Sequence, residues 1–83
     1  MKVTVKYFAG IREAIGMGQE LCETSAQTLA GLRDELIALG GAHAESLARG
    51  KAVRLAINQV MSDESAPLTE GAEVAFFPPV TGG

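Results

Sequence analysis

The sequence predicts an α+β fold in which one long helix packs across a mixed sheet of four or five strands. Apolar and polar residues alternate near both ends of the chain and again near its middle, which is the period-two pattern of half-buried strands. Between the first and the middle of these segments, leucines recur at helical spacing. The 83 residues are 47% hydrophobic, which suffices for one domain with a modest core.

The first quarter of the chain predicts two strands joined by a connector. Residues 3–7 alternate between apolar and polar side chains and predict the opening strand. In the connector, residues 9–18, Ile11 and Ile15 lie one helical turn apart, so we expect a short turn of helix. Residues 19–23 alternate more weakly and predict a second strand, antiparallel to the first.

The clearest helix begins after Thr28, whose hydroxyl can cap its first turn. Its apolar stripe consists of Leu29, Leu32, Leu36, Ile37 and Leu39. Arg33, Asp34 and Glu35 lie off that stripe, and we expect their side chains to face water. The two glycines at residues 40–41 would end the helix, because glycine adopts the left-handed conformation of a C-terminal cap at little cost.

The second half of the chain predicts a further short helix and three strands. Residues 42–50 are expected to form the helix. Residues 53–57 alternate and predict a third strand, which residues 58–59 turn back into a short segment around residues 60–61. After a turn-rich stretch, residues 74–77 predict the last strand, and the two prolines that follow end it because they cannot donate to a ladder.

Composition and charge argue against several classes of function. The net charge is −3 and the seven basic residues are scattered, so the chain has no cationic stripe for a nucleic acid. No apolar run approaches the ~20 residues that cross a bilayer, and no secretory leader opens the sequence. Cys22 is the only cysteine, which is typical of a reducing compartment. We therefore expect a cytoplasmic protein that binds neither nucleic acid nor membrane.

The side chains that most often carry chemistry are poorly placed for it. Cys22 precedes Glu23, whose negative charge would raise the pKa of the thiol, and a structural role is favoured. His43 is the only histidine, and a surface position without a metal is favoured because no second ligand shares a metal-binding spacing with it. Asp63 and Glu64 lie in a loop without an apolar or basic wall, which gives acid–base catalysis little support.

The C-terminal sequence AFFPPVTGG is the one stretch that folding does not explain. We divide the chain into a domain, residues 1–77, and an extended tail, residues 78–83. The tail starts with two prolines, which stiffen it and keep it out of the sheet, and when extended it reaches about 20 Å. Gly82 and Gly83 have no side chains, so they could enter a narrow channel and present the α-carboxylate of Gly83 for activation as an acyl-adenylate.

The whole chain resembles the small subunits of molybdopterin synthase, a family of ubiquitin-like sulfur carriers. The resemblance rests on the opening VTVKYFAGIRE, the helix TLAGLRDEL, the segments LAINQV and TEGAEV, and the ending VAFFPPVTGG. The ending is the most specific of these motifs. The resemblance implies the ubiquitin-like β-grasp fold, which agrees with the order of elements predicted from the residues.

The resemblance also implies a chemistry in which sulfur is carried as a thiocarboxylate on Gly83. A ubiquitin-activating-type enzyme would use ATP to adenylate Gly83, and a sulfurtransferase or desulfurase would supply the sulfur. The tail residues that would thread into the large synthase subunit are Pro78, Pro79, Val80, Thr81 and Gly82. There the sulfur would pass to cyclic pyranopterin monophosphate, in a heterotetramer of two small and two large subunits. Catalytic side chains would come from the partners, and no stably bound cofactor or metal is expected.

Three further residues are candidates for contacts with partners. Phe76 and Phe77 point to opposite faces of the last strand, so one should lie in the core and the other in an apolar surface patch. The sequence does not decide which, and burial of both aromatic rings is an equal alternative. Arg12 matches an arginine in the first connector of the family, and a partner contact and a solvated side chain are equally compatible with its position.

Three other readings share the same C-terminal features. The sulfur carrier of thiamine synthesis has the same fold and Gly-Gly ending but lacks the FFPPVTGG motif, so this interpretation is less favoured. A ubiquitin-like modifier would be adenylated in the same way and then joined to lysines by an isopeptide bond. A non-covalent interaction module would make the tail incidental.

Overall fold

A computed structural model describes residues 1–79 of the chain. In chain order the elements are β1 (Lys2–Tyr7), α1 (Ala9–Ile15), β2 (Gln19–Glu23), α2 (Leu29–Ala38), α3 (Gly41–Leu47), β3 (Arg54–Ile57), β4 (Val60–Ser62) and β5 (Glu73–Phe77). Every predicted strand and the long helix α2 are therefore confirmed. The connector forms a seven-residue helix, and α3 is shorter than the predicted residues 42–50, so α2 is one of three helices in the described part of the chain.

The five strands form one mixed sheet in the order β2-β1-β5-β3-β4. The first and last strands, β1 and β5, pair in parallel at its centre, and the other neighbours are antiparallel. Parallel pairing sets Tyr7 beside Phe76 and brings the ends of both strands to the same edge. This is the β-grasp topology that the resemblance implies.

The core lies on one face of the sheet, under the helices. Alternate residues of the central strands point into it, and the helices supply leucines from the other side. Its largest fully buried side chains are Tyr7, Phe76, Leu29, Leu32, Leu47, Val3, Val5 and Val74. Each large apolar side chain buried in this way contributes roughly 1.5–3 kcal/mol, so these eight dominate the stability of a small domain.

The ends of α2 and of the β3–β4 hairpin follow local rules that the sequence displays. The Thr28 hydroxyl accepts a hydrogen bond from the backbone N–H of Gly31 at 3.2 Å, which confirms the predicted cap. Asn58 and Gln59 have φ values of 50° and 68°, the left-handed conformation that a type I′ hairpin turn has at both positions. Helix α2 therefore begins, and the hairpin turns, at the positions that the sequence predicts.

The prediction that Arg33 faces water is wrong. Its side chain is 4% exposed, and its guanidinium donates hydrogen bonds to backbone carbonyls between α3 and β3. Because Arg33 lies four residues after Leu29 and three before Leu36, it borders the apolar stripe and is covered by that connection. Asp34 is exposed as expected, whereas Glu35 is half-buried and accepts a hydrogen bond from a threonine hydroxyl.

Candidate functional site

The candidate site is the edge of the sheet where the chain leaves β5 and the tail begins. Strand β5 ends at Phe77, and the structure describes the next two residues, Pro78 and Pro79. The remaining tail residues lie outside the described part of the chain; they are Val80, Thr81, Gly82 and Gly83. The structure therefore does not describe the carboxyl group of Gly83, but it does describe the surface at which the tail begins.

The two phenylalanines of β5 occupy opposite environments. Phe76 is 0% exposed, and its ring stacks on that of Tyr7 with a centroid separation of 6.3 Å and an interplanar angle of 20°. Phe77 points to the other face, is half-buried, and meets Phe8 edge-to-face at 6.2 Å and 86°. Of the two candidates for a partner contact, only Phe77 therefore has ring surface available.

An apolar patch flanks the start of the tail. It consists of Phe8, Ala9, Phe77 and Pro78, which line a shallow groove of about 400 Å³, and we call it the Phe8–Phe77 patch. Phe8 is 45% exposed, although its backbone N–H donates to the carbonyl of Phe76 at 3.2 Å. Phe8 was missed by reasoning from the sequence. The alternation of β1 is the sequence signal that indicates its position. If that alternation is continued to residue 8, Phe8 lies on the outer face of the sheet with Lys6.

Arg12 lies next to this patch on α1. Its side chain is exposed and takes part in none of the ion pairs found among residues 1–79. The guanidinium lies over Gly18, where an added Cβ would come within 3.3 Å of Cζ and Nε of Arg12. A groove that holds Arg12 and Gly18 shares Ala9 with the Phe8–Phe77 patch. The guanidinium of Arg12 therefore borders the patch, and it fits there because Gly18 has no side chain.

A second groove lies beside Pro79. It has a volume of about 970 Å³, and its walls are residues 52–55 at β3 and residues 61–65 at β4 and the loop that follows. Pro79 lines it as well, and we call it the hairpin groove. The chain thus leaves the fold with the Phe8–Phe77 patch at Pro78 and the hairpin groove at Pro79.

His43 is not the surface histidine that the sequence favoured. It is half-buried on α3, packs edge-to-face on Tyr7, and its Nε2 lies 2.7 Å from Oε2 of Glu20. The Tyr7 hydroxyl donates to the same carboxylate oxygen at 2.6 Å. Burial raises the pKa of Glu20, but the hydrogen bonds from Tyr7 and His43 outweigh it and hold that pKa below its usual range. Burial and the Glu20 carboxylate raise the pKa of Tyr7.

Cys22 has the environment of a structural thiol. It is half-buried against the core, and burial, with smaller contributions from Glu20 and Glu35, raises its pKa to about 11. The direction predicted for this pKa is confirmed, but its source is not the neighbouring Glu23, whose side chain points to the opposite face of β2. A thiol with this pKa is almost entirely protonated near pH 7 and is a weak nucleophile.

Two further properties of the described residues bear on the remaining classes of function. Within residues 1–79, no three His, Cys, Asp or Glu side chains are grouped so that they could hold a metal ion. None of the helices described is both long and apolar enough to span a bilayer.

Comparisons with known proteins cover nearly the whole chain. A family model described as the ThiS family matches residues 5–83. The molybdopterin synthase sulfur carrier subunit of Escherichia coli (strain K12) is 40% identical over 81 residues, which are 98% of this chain and 99% of that protein. The protein of the same name from Haemophilus influenzae is 38% identical over the same shares of both chains.

Solved structures share the fold. A chain in the complex of subunits 1 and 2 of molybdopterin-converting factor from Helicobacter pylori is 27% identical, with a TM-score of 0.70 and full coverage of both chains. Small archaeal modifier protein 1 from Haloferax volcanii has a TM-score of 0.76, with 95% of this chain and 98% of that one covered. At 21% identity the latter similarity concerns the fold alone.

Proposed function

The chain belongs to the ThiS family, and we propose from this membership that it is the sulfur carrier subunit of a molybdopterin synthase, with sulfur carried on the carboxyl group of Gly83. One observation carries the proposal. The match to curated sulfur carriers named for that synthase extends over 98% of the chain, and the family match includes the tail up to Gly83. A sulfur carrier role therefore rests on the whole chain and not on a terminal Gly-Gly alone.

The proposed chemistry begins with activation of the tail. The Gly83 carboxylate attacks the α-phosphate of ATP on a ubiquitin-activating-type enzyme, and pyrophosphate leaves as the acyl-adenylate forms. A persulfide of a sulfurtransferase or desulfurase then attacks the acyl carbon and displaces AMP. A thiol of the sulfur donor reduces the resulting acyl disulfide, so that Gly83 ends as a thiocarboxylate. The absence of a side chain at Gly83 leaves the acyl carbon open to both attacks.

The thiocarboxylate suits its task as a sulfur donor. A thiocarboxylic acid is far more acidic than a thiol, so near neutral pH it is an anionic nucleophile without help from a base. Cys22, in contrast, has a pKa of about 11 and would hold its sulfur protonated. In the large subunit the thiocarboxylate sulfur replaces an oxygen substituent of cyclic pyranopterin monophosphate, so that a thioester joins the two. Hydrolysis of that thioester leaves the sulfur on the precursor as a thiol and returns Gly83 to a carboxylate. Two such deliveries complete a dithiolene.

The Phe8–Phe77 patch is the proposed contact with the large subunit and with the adenylating enzyme. It combines exposed aromatic surface with Arg12 at its border, the residue types that anchor many protein interfaces. The similar chain from Helicobacter pylori is in a complex with a second subunit, which supports such a partner for this chain. A heterotetramer of two carriers and two large subunits in the cytoplasm remains part of the proposal.

An intact-mass measurement tests the proposed function. The full chain is incubated with the adenylating enzyme, ATP and a sulfur donor. We expect the mass gain of one oxygen-to-sulfur exchange, dependent on ATP. A variant with one residue added after Gly83 should show no gain while keeping its fold, because its terminal carboxyl lies beyond the activated position. An unchanged mass would overturn the carrier role, and lysine-linked conjugates would identify a modifier instead.

The pathway is decided by the acceptor. The thiocarboxylated chain is mixed either with the large synthase subunit and cyclic pyranopterin monophosphate or with a thiazole synthase and its substrates. We expect sulfur to be consumed only in the first mixture. Consumption only in the second would assign the chain to thiamine synthesis, the alternative that the ThiS family match also accommodates.

A further inference from the structure

Arg33 is a buried cation whose contacts lead toward the exit of the tail. Its Nε donates to the carbonyl of Leu47 at 2.8 Å, and its Nη2 donates to the carbonyls of Ala48 and Lys51 at 2.8 and 3.2 Å. These carbonyls belong to the last residue of α3 and to the connection between α3 and β3. One planar group on α2 thus fixes three successive points of that connection.

The connection held by Arg33 continues into one wall of the hairpin groove. Residues 52–53 follow Lys51 directly and line the hairpin groove together with Pro79. They also line a smaller groove, of about 210 Å³, together with Pro78. The wall therefore touches the spaces beside both of the first two tail residues.

Arg33 also reaches the opposite wall of the hairpin groove. Its Nη1 lies 3.6 Å from Oε1 of Glu64, which is one of the residues 61–65 that form this wall. The backbone carbonyl of Glu64 accepts a hydrogen bond from the N–H of Ala30 at 2.9 Å, so the wall is tied to α2 twice. The groove at Pro79 is consequently held from both sides by one buried guanidinium.

We propose that Arg33 is a positioning residue for sulfur transfer, because by holding both walls of the hairpin groove it fixes the direction in which the chain leaves the fold at Pro79. The proposal rests on the proposed function. A tail that leaves in one direction can enter a narrow channel of a docked partner. Once the walls loosen, Pro78 and Pro79 no longer keep one orientation, and the apparent affinity for the partner falls with the fraction of molecules in the competent orientation.

Glu64→Ala is the sharpest variant, because it removes the ion pair between Arg33 and one wall while the backbone hydrogen bond from Ala30 and the core stay in place. The exposed Arg49 pairs with the carboxylates of both Glu64 and Asp34. Asp34→Ala is therefore the matched control, since it removes one carboxylate partner of Arg49 but no residue of either wall. Arg33→Lys keeps the charge but cannot direct donors to all three carbonyls. Thermal melting establishes that each variant is folded at the assay temperature.

The test uses full-length thiocarboxylated chains with the large subunit and cyclic pyranopterin monophosphate. We expect Glu64→Ala and Arg33→Lys to raise the KM for the carrier by about fivefold, with kcat within about twofold of wild type, because only the competent fraction falls. Asp34→Ala should match wild type. Amide hydrogen exchange at residues 52–53 should become faster in Arg33→Lys, which shows that the wall has loosened.

The outcomes separate the two levels of the proposal. If wild type transfers sulfur and both folded variants keep its KM, the positioning role is overturned and the proposed function stands. A fall in kcat without a change in KM would overturn it as well. If the wild-type thiocarboxylate gives no sulfur to the precursor, the proposed function fails and the positioning role fails with it.

Discussion

Two aromatic pairs, one residue apart at the ends of β1 and β5, lie in opposite environments. Tyr7 and Phe76 stack inside the core and are at most 1% exposed. Phe8 and Phe77 meet edge-to-face on the outside, and Phe8 is 45% exposed. Because side chains alternate across a sheet, the parallel pairing of the first and last strands builds the core with one residue of each strand and a surface patch with the next. Folding and the proposed partner contact thereby depend on adjacent residues.

The largest expected effect is the loss of the inner pair. Phe76→Ala removes a fully buried ring and should lower the free energy of unfolding by about 3–5 kcal/mol, a large share of the stability of a small domain. Phe77→Ala should lower it by about 1 kcal/mol, since that ring is only half-buried. Urea denaturation followed by circular dichroism measures both, and equal losses would contradict the division between the pairs.

The outer pair should dominate binding. Phe77→Ala is expected to weaken the complex with the large subunit by about 2 kcal/mol, or about 30-fold in Kd, because it removes the centre of the Phe8–Phe77 patch. Titration calorimetry with the folded variant provides the value. Leu21→Ala is the matched control, as Leu21 is 68% exposed on the edge strand β2 and does not line the patch. If Leu21→Ala weakens binding as much as Phe77→Ala, the Phe8–Phe77 patch is not the main contact with the partner.

The inner pair also has a pH signature, through the Tyr7 hydroxyl and Glu20. The pKa of Glu20 is lowered in the folded state, so its carboxylate stabilises the fold above the unfolded value of 4.5, and this contribution is lost as the pH falls through the lower folded value. The free energy of unfolding of Glu20→Gln should therefore fall less than that of wild type as the pH is lowered from neutral to acidic. Glu23→Gln, exposed on the same strand, is the control. Identical pH profiles for wild type and Glu20→Gln would refute the contribution.

The smallest expected effect concerns the cation beside the outer pair. Arg12→Ala should weaken binding to the partner by about threefold, as for an exposed ion pair, with unchanged stability. Gly18→Ala should weaken it less, because a Cβ at that position displaces the guanidinium without removing its charge. Surface plasmon resonance at low and high salt measures both variants. Binding of Arg12→Ala that keeps the wild-type salt dependence would argue against a role for this cation.

Local signals in the sequence predicted most of the fold. The period of the strands, the Thr28 cap and the turn at residues 58–59 each depend on residues close together in the chain, and each is confirmed. The burial of Arg33 was not predicted, because its hydrogen-bond acceptors lie 14 to 18 residues further along and become neighbours only in the folded chain. The residues near Arg33 in the sequence offer its guanidinium no such acceptors, so the sequence predicts an exposed side chain.

The site was predicted in part, and for a similar reason. The tail and the aromatic residues of β5 stand out in the sequence, but parity alone could not assign Phe76 to the core and Phe77 to the surface. That assignment needs the register with β1, which pairs Tyr7 with Phe76 across the centre of the sheet. His43 was misread in the same way, because the oxygen that it contacts belongs to Glu20, 23 residues earlier in the chain.

The most direct test of the account is the location of the carried sulfur. The chain is loaded with isotopically labelled sulfur and cleaved with trypsin, which separates the peptide of residues 13–33, containing Cys22, from the C-terminal peptide of residues 55–83. Tandem mass spectrometry should find the label in the C-terminal peptide, on Gly83. Label on Cys22 with an unmodified Gly83 would contradict the account, because sulfur would then travel as a persulfide and the tail would have no part in carrying it.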